Sequence, residues 1–214
     1  MGFIFESRPF SEENKRVAVA DLLEAARPDR DFYLLVVGAA LFALFGIALD
    51  SIPVLIGAMI VAPLAAPILA LGLGVIVGRA RLIVRSAATL GVAALAAGVI
   101  TALVAYLLPP FTINGTFISF VANPLYDLAI AFIAGAIAAY GHVRVKVGGS
   151  LTGIGIAVSL MPPLVAAALA LGRMNFPLFN EALVIFLLNI LGILCGSVVV
   201  FFLFGITSKH LPSD

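Results

Sequence analysis

The sequence predicts an all-α polytopic membrane protein with six transmembrane helices, arranged as two inverted three-helix repeats whose second and fifth helices are broken by proline. Three observations carry this expectation. The 214 residues are 63% hydrophobic and only 11% charged, against about 25% charged in soluble domains, and mean hydropathy is +1.23. Six apolar segments recur along the chain. A proline-interrupted apolar stretch around Pro63 returns a hundred residues later around Pro163, and Gly72 likewise returns as Gly172.

The first ten residues lack the basic, apolar and small-residue succession of a signal peptide. Residues 11–27 read as an amphipathic helix. Ser11 suits the N-cap, Glu12 and Glu13 suit the first turn, and Val19, Leu22, Leu23 and Ala26 form one apolar stripe. Such a helix either lies in the membrane interface or binds a regulatory partner. The run from Arg27 to Asp31 ends it. The chain therefore divides into a cytoplasmic N-terminal segment (1–31), a six-helix membrane domain (32–206) and a short cytoplasmic tail (207–214).

The apolar segments fall at about 32–49, 52–78, 86–108, 125–141, 151–171 and 183–206. A straight crossing needs roughly 20 residues, so the fourth is short and the first marginal. The second is too long for one straight crossing, and Pro63 and Pro67 interrupt it: proline lacks an N–H and crowds the preceding turn. The loop over 109–124 is uncharged and aromatic, and reads as a loop resting at the interface.

Charge sets the orientation. All twelve Lys and Arg except Arg173 lie before the first segment, after the even-numbered ones, or in the tail. The positive-inside rule then places both termini in the cytoplasm. Three crossings per repeat invert the second copy. Broken helices at corresponding positions of inverted halves point to a site near the membrane midplane.

Free N–H groups at the start of each second half-helix would favour an anion or carboxylate; unwound carbonyls ahead of each break would favour a cation. In the first repeat the candidates are Pro63, Leu64 and Pro67. In the second they are Ser159, Pro162 and Pro163, joined by Asn189 near the middle of the last segment. Prolines can also merely kink a membrane helix while neighbours satisfy its backbone, and an Asn can simply bond a neighbouring helix. Thr89 and Thr101 are expected to bond their own helix backbones. Asp50 and Asp127 fall at external ends of segments, and His142 at a cytoplasmic surface. The spacings Gly74/Gly78, Gly192/Gly196 and Ala131/Gly135/Ala139 allow close helix approach, within one protomer or between protomers.

The single cysteine, Cys195, allows no intrachain disulfide. A net charge of +1 gives no electrostatic footprint for nucleic acid. No cluster of His, Cys or carboxylates has metal-ligand spacing, no loop is built to cradle phosphate, and no Ser–His–Asp set can be assembled. The expectation is a protein without metal or cofactor, and not an enzyme.

The stretches Ile56–Leu64 and Ala157–Leu164, together with Asn189, resemble the bacterial and archaeal "uncharacterised hydrophobic domain" membrane proteins. The likeness covers most of residues 32–206 and brings Gly57 into the candidate pathway. It implies a prokaryotic cytoplasmic membrane and no particular activity. The expected function is a transporter or channel for a small solute or ion, in a bilayer and as a homo-oligomer. The alternative is a non-transporting scaffold or accessory subunit.

Overall fold

The computed structural model describes residues 12–109, 123–144 and 149–211; within α7 the side chains of 149–155, 157 and 158 are not described. Among the described residues the fold is entirely helical. Helix α1 (Glu12–Ala25) carries Glu12 and Glu13 in its first turn and buries Ala18, Val19 and Leu22. The proposed N-cap Ser11 lies outside the described residues. Asp29 then caps α2 (Arg30–Ala48), its side chain accepting from the Phe32 N–H at 2.7 Å.

The helices α3 (Ile52–Val61) and α4 (Ala65–Val77) meet at a bend of 53°. This is the break expected at Pro63. Gly78 closes α4 in the left-handed region (φ 69°), its N–H reaching the carbonyls of Gly74 and Val75, and α5 (Ala80–Leu107) follows after one residue. Gly74 meets Ile83 at the start of α5, so the Gly74/Gly78 pair makes a tight helical hairpin.

The second half of the chain contains α6 (Pro124–Val143), α7 (Gly149–Gly172) and α8 (Phe176–Leu203), followed by a 3₁₀ turn at Ser208–His210. Most of the 109–124 loop lies outside the described residues. Helices α2, α5, α6 and α8 are each long and apolar enough to cross a membrane, and the bent α3–α4 pair makes a fifth candidate. The segments that looked short, 32–49 and 125–141, become helices of 19 and 20 residues, or about 28–30 Å. The first gains Arg30 and Asp31 at its start, and the second gains Pro124 at its start and His142 and Val143 at its end.

The expected break in the fifth segment is absent. Helix α7 runs unbroken through Pro162 and Pro163. A proline inside a helix orphans the carbonyl four residues earlier; for Pro163 that is Ser159. The Asn189 side chain on α8 donates to the Ser159 carbonyl at 2.7 Å, so the acceptor freed by Pro163 is satisfied.

The closest helix contact is between α6 and α8. A Cβ on Gly196 would fall on the Phe132 carbonyl oxygen, and one on Gly135 on the Ile193 carbonyl. One on Gly192 would stand 2.9 Å from both Ala131 and the Leu128 carbonyl. The Gly192/Gly196 pair and the small stripe on α6 therefore build the protomer core, where close approach replaces the hydrophobic force that lipid cannot supply. Successive α8 glycines meet successive turns of α6, so the two helices run in the same direction.

Arg173, in the turn between α7 and α8, donates to the Pro109 carbonyl at 2.8 Å. The α7–α8 turn is thus tied to the end of α5. The contact is exposed, and its removal by Arg173→Ala should lower stability by less than about 1.5 kcal/mol, read as a small drop in the detergent unfolding midpoint.

Candidate functional site

The site begins with the backbone of residues 59–67. Pro63 offers no N–H to the Met59 carbonyl. The chain leaves α3 at Ala62 in an extended conformation (ψ 117°), its N–H still on the Ala58 carbonyl at 3.3 Å. Leu64 stands at the N-cap of α4 with no side-chain cap. The opening N–H groups of any helix have no acceptor inside it, and here no capping side chain supplies one.

Pro67 does not add a second break. It sits in the first turn of α4, where a missing N–H costs no hydrogen bond. Met59, Ala62, Leu64 and Pro67 are buried, Leu64 at 3% exposure, while Pro63 is half-buried. Polar backbone therefore ends inside the protein, with the positive end of a 13-residue helix aimed at it.

The second part of the site is the bridge between α7 and α8. Asn189 is 3% exposed and Ser159 7%. Asn189 Nδ2 is used on the Ser159 carbonyl, whereas its Oδ1 is buried without a hydrogen-bond partner. Pro162 and Pro163 are buried within the same helix.

The relative level of the two parts follows from the packing. Gly172, at the end of α7, packs on Ala102 near the end of α5, and Arg173 reaches Pro109. So α5 and α7 finish on the same side, and α8 starts there. Helix α4 finishes where α5 starts, which makes α4 and α8 parallel. They touch where a Cβ on Gly72 would meet Ser197 Oγ. Eight residues earlier on each helix, roughly 12 Å away, lie Leu64 and Asn189. The start of α4 and the carboxamide thus occupy one level of the bundle, and both α3 and α4 pack on α7.

Gly57 belongs elsewhere. A Cβ there would stand 3.0 Å from the Phe42 ring, so Gly57 makes room for α2. Thr89 bonds its own helix as expected, Oγ1 to the Arg85 carbonyl at 3.0 Å. Thr101 does not: it is fully buried and its Oγ1 has no partner. Asp50 occupies a left-handed position (φ 50°) in the α2–α3 turn, and Asp127 the first turn of α6. Neither forms an ion pair among the described residues. His142 is half-buried at the end of α6, near Asp21 of α1, so it is not the surface residue its basic neighbours suggested.

Sequence reasoning missed one cluster altogether. His210 is 3% exposed and its Nε2 lies 2.8 Å from Glu12 Oε2. The partners are 198 residues apart, and nothing local in either segment signals the other.

A family model described as "Domain of unknown function (DUF389)" matches residues 59–195. The match takes in the α3–α4 break, Ser159, both α7 prolines and Asn189, and leaves Gly57 outside. An uncharacterized protein of the archaeon Methanocaldococcus jannaschii is 27% identical over 206 residues, covering 94% of this chain. The chain spans 64% of that relative's length. No solved structure matches the chain. With more than half of its length inside the family model, from the last turn of α3 into the second half of α8, the chain belongs to the DUF389 family.

Proposed function

We propose that this protein is a multi-pass protein of the prokaryotic cytoplasmic membrane that passes a small solute or ion at the α3–α4 break. In this reading the chain has six spans, both termini are cytoplasmic, and no catalysis is involved. The observation that carries it is the uncapped, half-buried start of α4 at a 53° bend. In lipid, non-helical backbone is tolerated only where protein encloses it or where it lines a water-filled cavity.

An inverted repeat is supported by reciprocal packing: α5 lies on α7, and α8 lies on α4. Gly72 and Gly172 sit at both crossings, and α5 and α8 each have 28 residues. Only the first half is broken. In α8, Asn189 satisfies the acceptor freed by Pro163; α5 offers only alanines, Ala93 and Ala97, in its fully buried middle. The repeat has diverged so that one copy carries the site and the other braces it. A homo-oligomer fits the outer face of α5, where Gly91 and Gly98 have nothing within 4 Å of an added Cβ.

A second reading, a non-transporting scaffold, draws support from the Asn189–Ser159 bond, which is sealed between helices. Cysteine accessibility separates the two. In a Cys195→Ala background, Ala66→Cys at the break should react in intact membranes with a water-soluble thiol reagent. Ala70→Cys, one turn further along α4 and fully buried, should not. Complete inertness of residue 66, and of Ser159→Cys, in every condition would move the assignment to the scaffold.

A further inference from the structure

The two ends of the described chain meet under the bundle. Helix α1 packs on α4, α6 and the 3₁₀ turn that follows α8. At its start, Glu12 reaches Lys15 Nζ with Oε1 and His210 Nε2 with Oε2, both at 2.8 Å. The His210 ring is oriented from behind: the Thr207 N–H donates to Nδ1 at 3.0 Å. That bond makes Nδ1 the acceptor, leaving the ring proton on Nε2 to be donated to Glu12. Lys15 is mostly buried, and its Nζ lies 3.9 Å from where a Cβ on Gly205 would stand. It therefore faces the carbonyl end of α8, where a cation is favoured.

We infer that α1 is a detachable cover across the ends of α4 and α6, fastened to the far end of the chain by the Glu12–His210 hydrogen bond. The proportions of the contact argue for detachment. The docked face of α1 is narrow: three buried side chains, Ala18, Val19 and Leu22, with half-buried Leu23 beside them, among exposed Glu13, Arg16, Asp21 and Glu24. Those three side chains fit a membrane interface as well as they fit the bundle, because an amphipathic helix can lie in the headgroup plane with its apolar side down. Undocking therefore exchanges one apolar surrounding for another. What undocking loses is specific: the His210 bond, the Lys15 contact, and the approach of Asp21 to His142. The fastening thus sits in polar groups at the helix's first turn, where release can begin without disturbing the core.

Glu12 remains ionised throughout the neutral range. Lys15 foremost, and His210 after it, hold its carboxyl down to about 2 from 4.5. Stabilisation from a depressed carboxyl is present above its unfolded value and fades as pH falls through the folded one, so it is lost only between about pH 4.5 and 2.

The inference stands whether or not the protein transports anything, and it is tested by distance. In a Cys195→Ala background, spin labels are placed at Arg16→Cys on α1 and Arg81→Cys at the start of α5, both exposed positions. The protein in lipid nanodiscs should give one narrow distance distribution. His210→Ala should add a second, longer population, and Glu12→Ala, made at an exposed residue that the fold tolerates, should do the same. A single unchanged distribution in both variants would overturn the inference and make α1 a fixed part of the bundle. If His210→Ala fails to fold, Glu12→Ala alone decides.

Discussion

Gly196→Ala is expected to be strongly destabilising, although alanine is the better helix former. In lipid or detergent, a methyl group at residue 196 has nowhere to go: its position coincides with the Phe132 carbonyl oxygen and lies 2.9 Å from the Ala136 nitrogen. Both obstacles are backbone, so no side chain can rotate away, and α6 must shift from α8 along the whole seam. Overpacking of this kind costs about 1–3 kcal/mol and occasionally more. The helix-propensity gain of about 1 kcal/mol offsets only part of it. We expect a net loss of up to about 2 kcal/mol, and a fall in unfolding midpoint of up to roughly 8 °C for a chain of this size. Gly38→Ala, in α2, is the matched control, because its added methyl meets nothing; it should be neutral or stabilising by up to about 1 kcal/mol. Equal stability of the two variants would show that α6 and α8 do not approach through Gly196.

The second large effect concerns the brace between α7 and α8. Asn189→Ala leaves the Ser159 carbonyl buried without its donor, and a buried acceptor so stranded costs about 1–3 kcal/mol. The loss of the unpartnered Oδ1 returns part of this, which places the expected effect near 1–2 kcal/mol. Pro163→Ala supplies the missing N–H, since residue 163 then donates to residue 159 within α7. A double-mutant cycle should therefore show coupling of about 0.5–3 kcal/mol, with Asn189→Ala costing much less in the Pro163→Ala background. Additive effects would mean that Asn189 does not serve the acceptor freed by Pro163.

These two sites mark the limits of what the sequence could disclose. Helix existence and the Pro63 break were legible because hydrophobic run length and missing N–H groups are local properties. The symmetric break at Pro163 was predicted from the same local property and does not occur. Whether a freed carbonyl breaks a helix depends on what stands across from it, and Asn189 lies 30 residues away from Ser159. Pro67 was misjudged for a related reason. Its effect depends on its position in the first turn of α4, which is fixed only once Pro63 has ended α3. The glycine spacings announced close contacts without naming the surfaces, and the structure divides them between a hairpin turn and the α6–α8 seam. The Glu12–His210 pairing had no sequence signature, because ends that distant meet only after the helices between them are placed.

The parallel course of α6 and α8 also bears on how the chain is assembled in the membrane. Parallel helices cannot be neighbours along the chain; the strand of polypeptide between them has to cross back first. The tightest seam in the molecule therefore cannot zip as a local hairpin. Until α8 is made, the notches at Ala131 and Gly135 lack the partner that fills them. Synthesis halted before Phe176 should leave α6 loosely held and open to wrong neighbours, and the arrival of α8 should lock three helices in one step.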